Sequence, residues 1–129
     1  MHSSEKITKS LLPHLQQVTS ITISSNILVI EDSIFSNCPE MRSISVDSSN
    51  SQFASIDGIL FSKKFETLLC FPRAHPLFHY TIPKNVTSIG NSAFSGCTNL
   101  QSITIPTNVT SIGNSSFSGC SKLQSIYVE

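Results

Sequence analysis

Residues 82–104 read IPKNVTSIGNSAFSGCTNLQSIT and residues 105–127 read IPTNVTSIGNSSFSGCSKLQSIY. The two segments differ only at Lys84/Thr107, Ala93/Ser116, Thr98/Ser121, Asn99/Lys122 and Thr104/Tyr127, and a further copy opens at Val128 and Glu129. The offset is 105 − 82 = 23 residues. Near-identity at a fixed period of this length is the sequence signature of a solenoid, in which each unit is one coil stacked on the last. A single unit has too few apolar side chains to offset the entropy of ordering its backbone, so neighbouring coils must close its faces.

Upstream, residues 23–45 (ISSNILVIEDSIFSNCPEMRSIS) keep the same phase. Ile23, Asn26, Ile27, Ile30, Phe35, Cys38, Met41 and Ile44 stand where Ile82, Asn85, Val86, Ile89, Phe94, Cys97, Leu100 and Ile103 stand later. Residues 46–81 are longer, 82 − 46 = 36, but end in phase: Leu77, Tyr80 and Ile82 align with Leu100, Ile103 and Ile105. The surplus lies in residues 57–72, where two β-prone runs (59–61 and 67–71) flank the polar residues 62–64 and predict a β-hairpin ended by Pro72 and Pro76. Residues 1–22 are the least regular. Ile7, Leu11, Leu12, Leu15 and Val18 form an approximate helical face interrupted by Pro13, whereas residues 18–23 match 100–105 and predict a strand. The expected organisation is an N-terminal cap or decayed first repeat over 1–22, then a repeat domain over 23–129 with units 23–45, 46–81, 82–104 and 105–127.

Within a unit, the alternation after Leu100 predicts a short strand with Ile103 and Ile105 inward and Ser102 and Thr104 outward, ended by Pro106. Val109, Ile112, Phe117 and Cys120 return to the core at irregular spacing. Asn37 replaces Gly96 and Gly119. Both residue types enter the left-handed region readily, which predicts a short helical turn over 92–95 with a left-handed cap, Asn37 included. A single core is expected along the stack, lined by Ile21, Ile23, Ile44, Val46, Tyr80, Ile82, Ile103, Ile105, Ile126 and Val128.

Composition narrows function. Formal net charge is +0 with 12% charged residues and no Lys/Arg cluster, so nothing provides the phosphate-binding surface that nucleic acid requires. No stretch approaches the ~18 apolar residues of a membrane span, and the N-terminus lacks the apolar segment of a signal peptide. No nucleophile elbow, phosphate loop or carboxylate pair is present, so the chain reads as a non-enzyme with no cofactor. Cys70, His75 and His79 are spaced like part of a metal site, but Pro76 intervenes and a fourth ligand is missing. Cys38, Cys97 and Cys120 share one repeat position beside a phenylalanine and are expected to be buried thiols. Asn85, Asn108 and Asn114 head glycosylation-type triplets; the repeat position shared by Asn26, Asn85 and Asn108 equally fits an asparagine that satisfies turn amides.

The pattern L-x-x-I-x-I-P-x-x-V-x-x-I-G-x-x-(A/S)-F-x-x-C, carried over residues 18–129, resembles the BspA-like (Treponema-type) leucine-rich repeat. Residues 23–45 depart from it at Ser24, Glu31 and Ile34. The resemblance implies an α/β leucine-rich-repeat solenoid, horseshoe-like, with a parallel β-sheet on one face, short helical turns and loops on the other, and one β-hairpin insertion. It further implies a protein-binding or adhesion module at the cell surface or secreted, contacting host or matrix proteins or glycan. The expected binding face is the outward strand rows Ser20, Ser43, His79, Ser102, Ser125 and Thr22, Ser45, Thr81, Thr104, Tyr127. Such a face is also what a solvated sheet surface with no ligand would carry. A structural, self-associating protein is the alternative, as a homodimer through Leu123, Ile126, Tyr127 and Val128 of the C-terminal repeat.

Overall fold

A computed structural model describes residues 6–129; the first five residues of the expected N-terminal segment lie outside it. In chain order the elements are β1 (Lys6–Ile7), a 3-10 turn (Lys9–Leu11) running into α1 (Leu12–Leu15), β2 (Ser20–Ile23) and β3 (Val29–Ile30). A second 3-10 turn (Ile34–Asn37) leads to β4 (Ser43–Val46), β5 (Phe53–Ile56), β6 (Ile59–Ser62) and β7 (Thr67–Cys70). The remaining strands are β8 (His79–Thr81), β9 (Ser88–Ile89), β10 (Ser102–Ile105), β11 (Ser111–Ile112) and β12 (Ser125–Val128). The chain is a β-solenoid whose coils each contribute a strand to two walls.

The first wall is parallel: β2 pairs with β4, and β8 with β10 and β12, in the register the 23-residue period requires (His79↔Ser102↔Ser125, Ile103↔Ile126). The second wall joins β1 to β3 and, separately, β9 to β11 and β7. Between the walls the chain must turn tightly. Pro83 and Pro106 open turns closed by the amides of Val86 and Val109 onto the proline carbonyls, at 3.1 and 3.2 Å. Proline fits there because its fixed φ suits a turn and it need not donate to the strand it ends.

Gly96 and Gly119 are left-handed, with φ of 71° and 76°, as their sequence position predicts. Asn37 is not. It completes the Ile34–Asn37 turn in helical geometry, and its amide nitrogen donates to the Ser33 carbonyl at 3.3 Å. The left-handed residues that recur through the coils are instead Ser33, Ser92 and Ser115, at 63°, 57° and 58°. Serine carries no sequence signal for this conformation, so the position was unreadable.

The insertion forms a three-stranded meander: β5 and β6 are antiparallel, as are β6 and β7. The β6–β7 hairpin lies where the sequence predicts it. The preceding hairpin turns on Asp57 and Gly58, both left-handed at φ 55° and 79°, an arrangement that suits type I′ turns and that Asp-Gly favours. β7 then rejoins the second wall parallel to β9, with Leu68 opposite Ile89. The extra residues are thus built into the wall.

The core is not the single continuous one expected. One cluster joins Ile7, Leu15, Ile23, Phe35, Met41 and Ile44 to Leu60 and Cys70; the other joins Ile59, Phe61, Leu68 and Phe71 to Phe94, Leu100, Ile103 and Ile105. The meander divides them, because its strands send side chains to both sides. Ile21, Val46 and Tyr80 are only half-buried, and Ile126 and Val128 are exposed at 48% and 72%. Those last two pack against no further coil among the described residues, so an inward-pointing position does not become a buried one.

Candidate binding surface

The outward face of the first wall carries the residues selected from the sequence, but not as two unbroken rows. Ser20 and Thr22 stand beside Ser43 and Ser45; His79 and Thr81 stand beside Ser102 and Thr104, and these beside Ser125 and Tyr127. No pairing joins β4 to β8. The hairpin tip takes up that edge of β4: the Gly58 carbonyl accepts the Ile44 amide at 2.9 Å, and the Ser55 hydroxyl accepts the Val46 amide at 2.9 Å. A Cβ on Gly58 would lie 2.7 Å from the Ser43 hydroxyl, so only glycine lets the tip approach β4 this closely.

The face is mostly small and hydroxylic. His79 Nδ1 lies 2.6 Å from the Ser102 hydroxyl, and Tyr127 is the large exposed side chain, at 59%. Sequence reasoning missed the residues around the break. A cleft of about 450 Å³ opens there, lined by Arg42, Ser43, Asp57, His75, Pro76 and Leu77, with exposed Phe78 next in the chain. Arginine and aromatic side chains are the usual anchors of a protein interface. Arg42 and Phe78 both align with Gln101, which places them at one level on opposite banks of the break.

His75 is buried and committed to structure. Its Nδ1 accepts the Leu77 amide at 3.2 Å, which leaves Nε2 to donate to the Asp57 carbonyl at 2.8 Å. It thereby ties the hairpin tip to the segment entering β8 and has no nitrogen lone pair free for a metal. Among the described residues no group of three or more His, Cys, Asp or Glu side chains could hold an ion.

The cysteines run along the core without disulfides. Cys97 donates to the Phe71 carbonyl at 3.2 Å and Cys120 to the Phe94 carbonyl at 3.0 Å, so this repeat position fastens each coil to the one before. Burial pushes the Cys70 thiol up to about 12, with neighbouring Cys38 adding to it, and burial likewise raises Cys38, Cys97 and Cys120. The raised thiols contribute stability that is full below their ordinary value of 9.0 and is lost as pH rises through the folded value. At about pH 8 the native protein is therefore expected to be alkylated slowly, half-buried Cys120 first, and fully only after denaturation. Rapid labelling of all four thiols in the folded state would contradict this packing.

Of the repeated asparagines, Asn108 donates its side-chain amide to the Lys84 carbonyl of the preceding coil at 3.3 Å. In the Asn114 triplet the Ser116 hydroxyl is buried and donates to the Gly90 and Gly113 carbonyls at 3.1 and 2.6 Å. No helix among the described residues is long and apolar enough to cross a membrane.

Comparison with known proteins agrees with this geometry. Among curated proteins none matches the sequence. Three solved structures share the fold. The pneumococcal vaccine antigen PcpA is similar with a TM-score of 0.81 at 24% identity, over 84% of this chain and 27% of that one. A leucine rich cell surface protein from Faecalibacterium prausnitzii is similar with a TM-score of 0.78 at 29% identity, over 86% of this chain and 30% of that one. A leucine-rich repeat protein from Eubacterium ventriosum gives 0.69 at 26% identity, over 85% of this chain and 36% of that one. The chain thus spans about a third of the length of these structures. The model of the BspA type leucine rich repeat region matches residues 2–69 and 67–129 in six copies, and the chain belongs to that family.

Proposed function

We propose that this chain is a non-enzymatic protein-binding module, displayed at a cell surface and contacting a host or matrix protein or glycan. The observation that carries this reading is the outward face of the first wall. His79, Ser102 and Ser125, and beside them Thr81, Thr104 and Tyr127, stand in register on a rigid parallel sheet and point away from the core. The likeness to a cell surface protein supports the location. Within the module we read residues 1–22 as a cap or shortened first coil, a reading supported by the parallel pairing of Ile7 with Ile30, and 23–129 as the repeats. Saturable binding to immobilised matrix proteins or to a glycan array is expected, and replacing Tyr127 by alanine and Thr104 by lysine should abolish it. Failure to bind any of them, or binding indifferent to both changes, would overturn the reading.

The second reading, a homodimer through the C-terminal repeat, is favoured by one observation. β12 exposes Ile126, Tyr127 and Val128, with half-buried Leu123 behind them, and has no strand on its outer edge among the described residues. Light scattering over a dilution series should then show dimers that Ile126→Lys with Val128→Lys removes. A monomer at high micromolar concentration would dispose of it.

A further inference from the structure

At each intact boundary of the first wall one carbonyl accepts two successive amides from the next coil. Thr19 accepts Arg42 and Ser43 at 2.7 and 3.3 Å, Phe78 accepts Gln101 and Ser102 at 2.6 and 3.1 Å, and Gln101 accepts Gln124 and Ser125 at 2.8 and 3.3 Å. The period demands the same bond from the Phe78 and His79 amides to the Arg42 carbonyl, and it is missing. Ala74 donates to the Met41 carbonyl instead, at 2.9 Å. That bond shifts the donor by four residues and the acceptor by one, because the hairpin tip takes up the edge of β4 before β8 starts. The Phe78 and His79 amides and the Arg42 carbonyl are left without partners among the described residues, and all three residues are exposed.

Arg42 lines the cleft beside the break, and its guanidinium makes no ion pair among the described residues. Leu77, exposed at 38%, and Pro76 supply an apolar floor. Asp57, across the cleft, disfavours a second acid. From this arrangement we infer that the break between β4 and β8 is a docking site for an extended segment of a partner protein that carries one acidic side chain. The segment's carbonyl accepts the Phe78 and His79 amides, and its amide donates to the Arg42 carbonyl. At the level of Arg42, short of the hairpin tip that holds β4 at Ile44 and Val46, it supplies the hydrogen bonds that the other boundaries possess, which is main-chain recognition of an extended segment. Its carboxylate pairs with the Arg42 guanidinium, which can bond both oxygens at once. This narrows the protein-binding reading above to one place and one partner chemistry, and rests on it.

The test uses the whole chain and three capped pentapeptides: TVEVT, the same peptide with Lys in place of Glu, and TVEVT methylated on both valine amides. With millimolar TVEVT, the Phe78 and His79 amides are expected to shift and to exchange more slowly with deuterium. The lysine peptide should bind about tenfold more weakly or worse, since a charge-assisted bond is lost. The methylated peptide should not bind. Arg42→Glu, at an exposed position, should reverse the preference between the acidic and basic peptides. Unchanged Phe78 and His79 amides, protection confined to Ser125–Val128, or equal binding of the acidic and basic peptides would each overturn the assignment. Capture of a folded partner through Tyr127 with silent break amides would overturn it too, and would leave the protein-binding reading standing.

Discussion

Replacing Asn50 by leucine is expected to destabilise the protein by about 3–5 kcal/mol, although the repeat pattern itself calls for an apolar residue there. By the period, Asn50 occupies the position of Ile27, Val86 and Val109. It is fully buried. Its amide nitrogen donates to the Ser24 and Ile27 carbonyls, both at 2.9 Å, and its oxygen accepts the Gln52 and Phe53 amides at 2.8 and 2.9 Å. One side chain therefore holds the turn of the preceding coil against the start of β5, where the chain leaves the repeat to build the meander. Leucine fills nearly the same volume and removes all four bonds. The Ile27 carbonyl and the Gln52 and Phe53 amides are left without these partners, while the Ser24 carbonyl keeps the Ile27 amide at 3.2 Å; each buried orphan costs on the order of 1–3 kcal/mol. Denaturant unfolding monitored by circular dichroism measures the change. A leucine variant as stable as the parent, or more so, would show that the period alone decides this position.

Truncating Phe94 to alanine is expected to cost a similar amount, about 3–5 kcal/mol, by a different mechanism. Phe94 is fully buried and stacks between Phe71 and Phe117, at centroid distances of 5.3 and 5.2 Å, with Tyr80 at 6.3 Å. Removing the middle ring leaves a cavity that the outer rings cannot close, because each is fixed in its own coil. Phe117, half-buried in the last coil, should cost clearly less when truncated. Thermal melts of the two variants make the comparison. Equal losses would mean that the rings do not act as a stack. Since coils are stabilised mainly by their neighbours, the Phe94 variant should lose residues 59–123 before residues 7–46, which amide exchange can resolve.

The stacking of coils, their parallel register and the membership of Phe94, Leu100 and Ile103 in the core were legible in the sequence alone. They follow from the period, and a period is a property of the chain that each successive coil must satisfy in the same way. The β6–β7 hairpin was legible for a related reason, since local β propensity and a polar turn suffice to specify it. Where the period failed, local reading failed with it. Asp57 and Gly58 carry the strongest short hairpin signal in the chain, yet they sit at the edge of the surplus segment and make a turn of their own. Asn50 breaks the phase in plain view, but a polar residue on an apolar ladder gains meaning only when the four groups it serves are known. The left-handed serines at 33, 92 and 115 carry no signal at all.

The candidate site divides in the same way. Alternation along β10 and β12 was enough to assign Ser102, Thr104, Ser125 and Tyr127 to the outward face. That β4 and β8 part, and that Arg42, Leu77 and Phe78 gather beside unpaired amides, was decided by the tertiary structure. The hairpin tip of the meander holds the edge of β4 at Ile44 and Val46, where β8 would otherwise pair. No residue at the break records this, because the displacement is set by the packing of Ile59, Phe61 and Leu68 in the core. Sequence repetition determined how each coil is built; the one departure from repetition determined where the sheet opens, and only packing in three dimensions could place it.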